Sequence, residues 1–126
     1  GTTNTTDGYD NTGTIVSSYG SSTSYAAGLC NLYAIDSNGV ESYTGACADP
    51  DAYCYTGWFL PALTQLTCIY NNNAALQVPN GAYWTSYQLS STDAQALSMT
   101  NGSPSTQVKS IQTLSTRCAR NIGANI

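Results

Sequence analysis

The chain has 126 residues, a length that suits one domain, and only 8% of them are charged, far below the usual quarter. Three cations (Lys109, Arg117 and Arg120) against seven carboxylates give a net charge of −4, so the basic footprint that nucleic-acid binding needs is missing. No apolar run approaches membrane-spanning length, histidine is absent, and none of the five cysteines stands in C-x-x-C spacing, which removes a membrane span, a redox dithiol and a zinc knuckle.

Ser, Thr, Asn, Gly and ten tyrosines take the place of charge. Such a surface hydrogen-bonds instead of ionising. Recognition loops use the same residues, Tyr for rigid contact area and Ser, Asn and Gly for adaptable polar contacts. The plainer alternative is a secreted domain with a polar skin. Five cysteines in a small polar chain point to an oxidising, extracellular setting, and the odd count leaves one thiol over. The chain opens Gly-Thr-Thr and reads as a mature or excised piece, so a missing signal peptide says nothing against secretion.

Residues 1–13 are polar, glycine-punctuated and free of aliphatic side chains, and read as a flexible lead-in from a stalk or linker, with a single domain over 14–126. Ile15 and Val16 are expected to begin a short strand. Ala26, Leu29, Cys30 and Tyr33 fall at i, i+3, i+4 and i+7, one face of a helix that Ser22, Thr23 or Ser24 can cap. Residues 36–57 read as a long loop with turns at Asn38-Gly39 and Asp49-Pro50. A local Cys47–Cys54 bridge would close a small ring within it. Pro61 is placed at the first position of a second helix, continued by Leu63, Leu66, Ile69 and Tyr70 to the stop at Asn71-Asn72-Asn73. Cys68 lies on that helix.

Strand character follows. Ala82–Gln88 is rich in aromatics and Ala94–Met99 alternates. Asn101-Gly102 is a hairpin turn, and Gln107–Ile111 and Thr116–Ile122 read as the last two strands. Two helices followed by an antiparallel sheet is an α+β arrangement.

Three landmarks stand in order: Gly57-Trp58-Phe59-Leu60-Pro61 followed by Gln65-Leu66; Tyr83-Trp84-Thr85-Ser86; and Arg117-Cys118-Ala119-Arg120. A helix carrying Ala26-Ala27 and Cys30 precedes them. The set resembles a bacterial surface-domain family represented by the C-terminal domain of the Legionella collagen-like adhesin, whose pattern runs A-A-x-x-C, W-R-L-P-T-x-x-E-L, Y-W-S-S and R-C-V-R. The resemblance covers roughly residues 22–122. Phe59, Ala62 and Gln65 depart from it, standing where the family has Arg, Thr and Glu.

The resemblance implies a C-type lectin-like fold, two helices on a twisted antiparallel sheet, and a Cys30–Cys118 bridge from the first helix to the last strand. Closing a loop of that length contributes about 4–5 kcal/mol in the chain-entropy model. Cys47–Cys54 is then the second pair and Cys68 the leftover thiol, buried as a small hydrophobe. A competing scheme pairs Cys47 or Cys54 with Cys68. The resemblance also implies a homotrimeric adhesin head without catalytic function, on a bacterial surface, that binds host or biofilm glycans or a surface protein. The relative is linked to sulfated glycosaminoglycans, which this chain's acidity argues against. Two other roles compete: a pilus-tip, minor-pilin or trimerisation head, and a hypervariable lectin-like binding protein.

Ligand contact is expected from Tyr87, Gln88, Asn101, Ser103 and Lys109. Trp58, Leu60, Leu66, Tyr83 and Trp84 read as core, with Pro61 as scaffold. Arg117 and Arg120 would lie on opposite faces of one strand, one of them paired with Asp93 or Glu41. Asp49 and Asp51 offer oxygen donors of the kind calcium takes, although Asp-x-Asp in a loop is ordinarily turn chemistry and the lectin sugar–calcium signature is missing; Val78-Pro79-Asn80 only echoes it. No cofactor is expected, with calcium as the open alternative. Without histidine a serine triad lacks its usual base, and the carboxylates are scattered, so no enzyme is expected.

Overall fold

Tyr83 and Trp84 divide the core in two. They are neighbours on a strand, where successive side chains point to opposite faces. Tyr83 packs with Leu66, Val78, Leu97 and Met99. Trp84 packs on the other side against a cluster of Ile15, Ala27, Cys30 and Leu60. A computed structural model of the chain describes residues 3–111 and 113–121.

The elements in order are α1 (Gly8–Tyr19), α2 (Ala26–Leu32), β1 (Ala34–Asp36), β2 (Glu41–Ser42), β3 (Cys54–Tyr55), β4 (Trp58–Phe59), α3 (Leu63–Asn71), α4 (Asn73–Leu76), β5 (Ala82–Gln88), β6 (Asp93–Ser98), β7 (Pro104–Val108) and β8 (Ala119–Arg120). The fold is α+β. Its strands form three small antiparallel sheets, ordered β2-β1-β3, β4-β8 and β5-β6-β7. Helix α3 packs on β5 and β6, and α1 packs on β5, with α2 beside α1. The Tyr83↔Leu97 and Trp84↔Ala96 pairs set the register of β5 on β6.

Helix α1 is the main departure from the sequence reading. It occupies residues 8–13, expected as lead-in, and 15–16, expected as strand. Its buried positions are Gly8, Asn11, Thr12 and Ile15, a face with one aliphatic side chain, so hydrophobic periodicity does not reveal it. Asp7 caps it, its carboxylate accepting the Asp10 N–H at 3.1 Å. Polar bonds hold the buried face. Asn11 Nδ2 donates to the Asn4 carbonyl at 2.7 Å and to Ser86 Oγ at 3.1 Å, and Thr12 Oγ1 accepts the Leu60 N–H at 2.9 Å. Gly8 is where α1 touches the α3 entrance, with no room for a side chain.

Smaller differences have local causes. The N-cap of α2 is Tyr25, with no side-chain bond, because Ser22 Oγ instead accepts the Ser24 N–H at 3.1 Å within its own turn. Pro61 precedes the N-cap of α3, which is Ala62. Ala62 has no side-chain acceptor, so only the Gln65 half of a capping box forms, Gln65 Oε1 accepting the Ala62 N–H at 2.9 Å. The expected loop 36–57 carries strands β2 and β3, and Asp36 Oδ1 accepts the Asn38 and Val40 N–H groups at its first turn. The third sheet strand ends at Val108, not at Ile111. The expected strand 116–122 shortens to Ala119–Arg120, and Ile122 lies outside the described residues.

Both disulfides are present: Cys30–Cys118, separated by 88 positions with Cα atoms 5.4 Å apart, and Cys47–Cys54, separated by 7 with Cα atoms 5.7 Å apart. Cys68 is the free cysteine and is exposed, not buried: it sits on the outer face of α3, while Leu66 faces the core. Disulfide bonding fits an oxidising, extracellular setting. Among the described residues no helix is long and apolar enough to cross a membrane.

Candidate functional site

A cleft of ≈ 810 Å³ opens on the Trp84 side of the β5-β6-β7 sheet. The C-terminal half of α1 supplies Ile15 and Tyr19, and the α1–α2 connection supplies Ser22 to Tyr25. Trp84, Thr85 and Gln88 of β5 and Ala94 of β6 form the second wall, and Lys109, Ser110, Ile111, Leu114 and Thr116, after β7, provide the third.

Each wall has a local reason for its position. Tyr19 and Tyr25 meet edge to face, centroids 6.1 Å apart, which ties the end of α1 to the start of α2. The Tyr25 hydroxyl donates to the Gly20 carbonyl, and burial pushes its phenol pKa up. The Lys109 N–H donates to the Thr92 carbonyl at 2.8 Å, and the Ile111 N–H to the Val108 carbonyl at 3.0 Å, which turns the chain after β7 towards the helices. Further along, the Trp84 N–H donates to the Ser115 carbonyl at 3.0 Å, and the Ser115 N–H to the Ala82 carbonyl at 3.0 Å. Gln88 is held through its main chain, its N–H donating to Thr3 Oγ1 at 2.8 Å.

Electrostatically the cleft runs against the rest of the chain. Among the described residues no carboxylate lines it, while Lys109 does, its ammonium 5.7 Å from the centroid of the Tyr19 ring. Its remaining polar groups are hydroxyls and the Gln88 carboxamide. The lining rings of Tyr19, Tyr25 and Trp84 can stack on a ligand ring, and these polar groups can hydrogen-bond to its substituents.

Of the residues expected at a site, Gln88 and Lys109 line this cleft. Tyr87, next to Gln88, does not. Asn101 and Ser103 sit in the β6–β7 turn, where Asn101 Oδ1 accepts the Ser103 N–H at 3.0 Å. The strand pairs Asp93↔Val108 and Leu97↔Pro104 mark opposite ends of that hairpin, roughly 13 Å apart at strand rise. The expected ligand residues therefore fall into two separate groups. Tyr19 and Tyr25 are among the cleft residues the sequence reading omitted, and Trp84, expected as core, is another. The signal for Tyr19 is the spacing Thr12, Ile15, Tyr19, which continues as a helix only once α1 is recognised.

The expected core and arginine positions are also partly revised. Leu60, Leu66 and Tyr83 are buried, but Trp58 and Trp84 are only half-buried. Trp58 stands at a rim, edge-on to Tyr33 at 5.1 Å, and its Nε1 donates to the Tyr55 carbonyl at 2.9 Å. Arg120 lies 5.3 Å over the Tyr55 ring, and its Nε donates to the Thr56 carbonyl at 2.7 Å. Arg117 falls outside β8 and is exposed. Among the described residues neither arginine comes within 4.0 Å of an Asp or Glu oxygen. Ring and carbonyl partners replace the expected Asp93 or Glu41 because Thr56 and Tyr55 lie beside β4, the strand that β8 pairs with.

Glu41 instead accepts a hydrogen bond from the Tyr33 hydroxyl at 2.7 Å. Burial, then that bond and the carboxylate charge, push the Tyr33 pKa up to about 12. Asp49 Oδ1 accepts the Asp51 N–H at 2.9 Å, which is turn chemistry. Among the described residues no group of three or more His, Cys, Asp or Glu side chains is placed to hold a metal ion.

Compared with protein-family models, curated proteins and solved structures, the chain finds no match.

Proposed function

We propose that this chain is a non-catalytic extracellular recognition domain, an adhesin head of C-type lectin-like type that binds saccharide on a host cell or in a biofilm. The observation that carries this is the cleft lined by Tyr19, Tyr25 and Trp84 together with hydroxyls and a carboxamide. Such groups bind a ligand without supplying the acid–base pair that hydrolysis needs. Further support comes from the two disulfides, from tyrosines exposed elsewhere such as Tyr43 and Tyr53, and from the resemblance to the Legionella collagen-like adhesin family. By the same resemblance the head assembles as a homotrimer at the bacterial surface.

A glycan array probed with the whole chain tests the recognition function. Binding to a defined saccharide class, abolished by Gln88→Ala together with Tyr19→Ala, is expected. Saccharide hydrolysis, or an array without signal, would refute it. Sedimentation velocity tests the assembly, and a monomer at high concentration would remove the trimer.

A further inference from the structure

We propose that the cleft takes a saccharide bearing a single carboxylate, at its simplest a hexuronate, with the Lys109 ammonium as its counter-ion. This rests on the recognition function proposed above and names the ligand class of the same site.

The charge distribution carries it. The chain has seven carboxylates and none lines the cleft, whereas one of its three cations does. Among the described residues no Asp or Glu oxygen lies within 4.0 Å of Lys109 Nζ. The nearest carboxylate along the hairpin, Asp93, stands opposite Val108 and is not part of the lining. The Tyr19 ring face at 5.7 Å attracts the ammonium but does not satisfy its N–H donors. A lone cation therefore faces a space of ≈ 810 Å³ inside a molecule of net charge −4.

A single ammonium matches a single anion. A polysulfated chain needs several cations together, and Arg117 and Arg120 lie outside this lining. The rest of the cleft selects a sugar over a simple carboxylate. Trp84 and Tyr19 offer ring surface to a pyranose face, and Ser22, Ser110 and Gln88 offer partners for its hydroxyls.

Calorimetry on the whole chain tests this, with the methyl glycosides of glucuronic, galacturonic and N-acetylneuraminic acid and the methyl ester of each as its uncharged partner. At least one acid is expected to bind about tenfold more tightly than its ester, a difference in the range of one charge-assisted hydrogen bond. Lys109→Met should erase that difference and Lys109→Arg should restore most of it, near-UV circular dichroism reporting that both variants are folded. Salt should weaken the acid and spare the ester. Equal affinity for acid and ester, or an acid preference that survives Lys109→Met, overturns the carboxylate anchor. So does binding of neutral glycans on the array with none of the three acids bound, and in each of these cases saccharide recognition still stands. If no acid, ester or arrayed glycan binds, the recognition function falls with it.

Discussion

Gln65 Oε1 accepts the Gly8 N–H at 2.9 Å across 57 positions, while accepting the N–H of Ala62 at the same distance. One carboxamide oxygen therefore serves the first turns of both α1 and α3. Helix N-termini leave N–H groups without intrahelical partners, and here two are satisfied together. Gln65→Ala should lower stability by about 2–3 kcal/mol, since two partly buried donors lose their acceptor. Gln65→Glu keeps an acceptor and adds a negative charge beside two helix N-termini, so it should be neutral or stabilising at pH 7. Urea denaturation of both variants is the measurement, and equal losses would show that packing at residue 65, not the shared acceptor, matters.

Gly8 is crowded where Gly13 is open. A Cβ at Gly8 would meet the Leu60 carbonyl oxygen at 2.5 Å and the Ala62 nitrogen at 2.8 Å, both backbone atoms that cannot step aside. A Cβ at Gly13, in the same helix, meets nothing within 4 Å. Gly8→Ala should destabilise by about 2–3 kcal/mol through overpacking. Gly13→Ala should stabilise by about 0.5–1 kcal/mol, because alanine gives up less chain entropy in a helix. Thermal melts of the pair check the sign of each effect.

The two disulfides should part in a set order on titration with a thiol. Cys54 is exposed, whereas Cys30, on the inner face of α2, is wholly buried and its partner Cys118 is half-buried. Attack requires access to sulfur, so the exposed Cys47–Cys54 bridge should reduce before Cys30–Cys118. In the chain-entropy model the small ring contributes about 2.5 kcal/mol and the large one about 4.6 kcal/mol. Alkylation and mass spectrometry at graded thiol should trap a species modified at Cys47, Cys54 and the already accessible Cys68. Capture of Cys30 or Cys118 first would contradict the burial argument.

The Tyr33 phenol should ionise late, at about pH 12. Its pKa is raised above the unfolded value of about 10, so the folded state favours the neutral phenol. That contribution is fully present below about pH 10 and disappears as pH rises through about 12. Glu41→Gln removes the carboxylate charge and should bring the titration back towards 10. Absorbance at the phenolate band during alkaline titration reads both; an unchanged late phase in Glu41→Gln would assign the shift to burial alone.

Much of the framework could be read from local chemistry. The aromatic run Ala82–Gln88 forms β5 with the bounds read from it, and the Asn101-Gly102 turn joins β6 to β7. Leu63, Leu66 and Ile69 mark α3, and both cysteine pairs follow the expected connectivity. The site was legible in part. Gln88 and Lys109 line the cleft, but Asn101 and Ser103, grouped with them on the loops and sheet face of the same region, sit in the β6–β7 turn at the far end of that hairpin.

Apolar periodicity and turn residues, which are short-range signals, suffice by themselves for helices α2 and α3, strand β5 and the β6–β7 turn; the Cys30–Cys118 bridge, across 88 positions, is implied only by the family resemblance. Tertiary contact alone decides that residues 8–19 are helical, because the buried face of α1 is polar and becomes stable only when Asn4, Leu60, Gln65 and Ser86 meet its bonding groups. It also decides the cleft, since Lys109 faces Tyr19 across an interval of ninety positions that no local pattern spans.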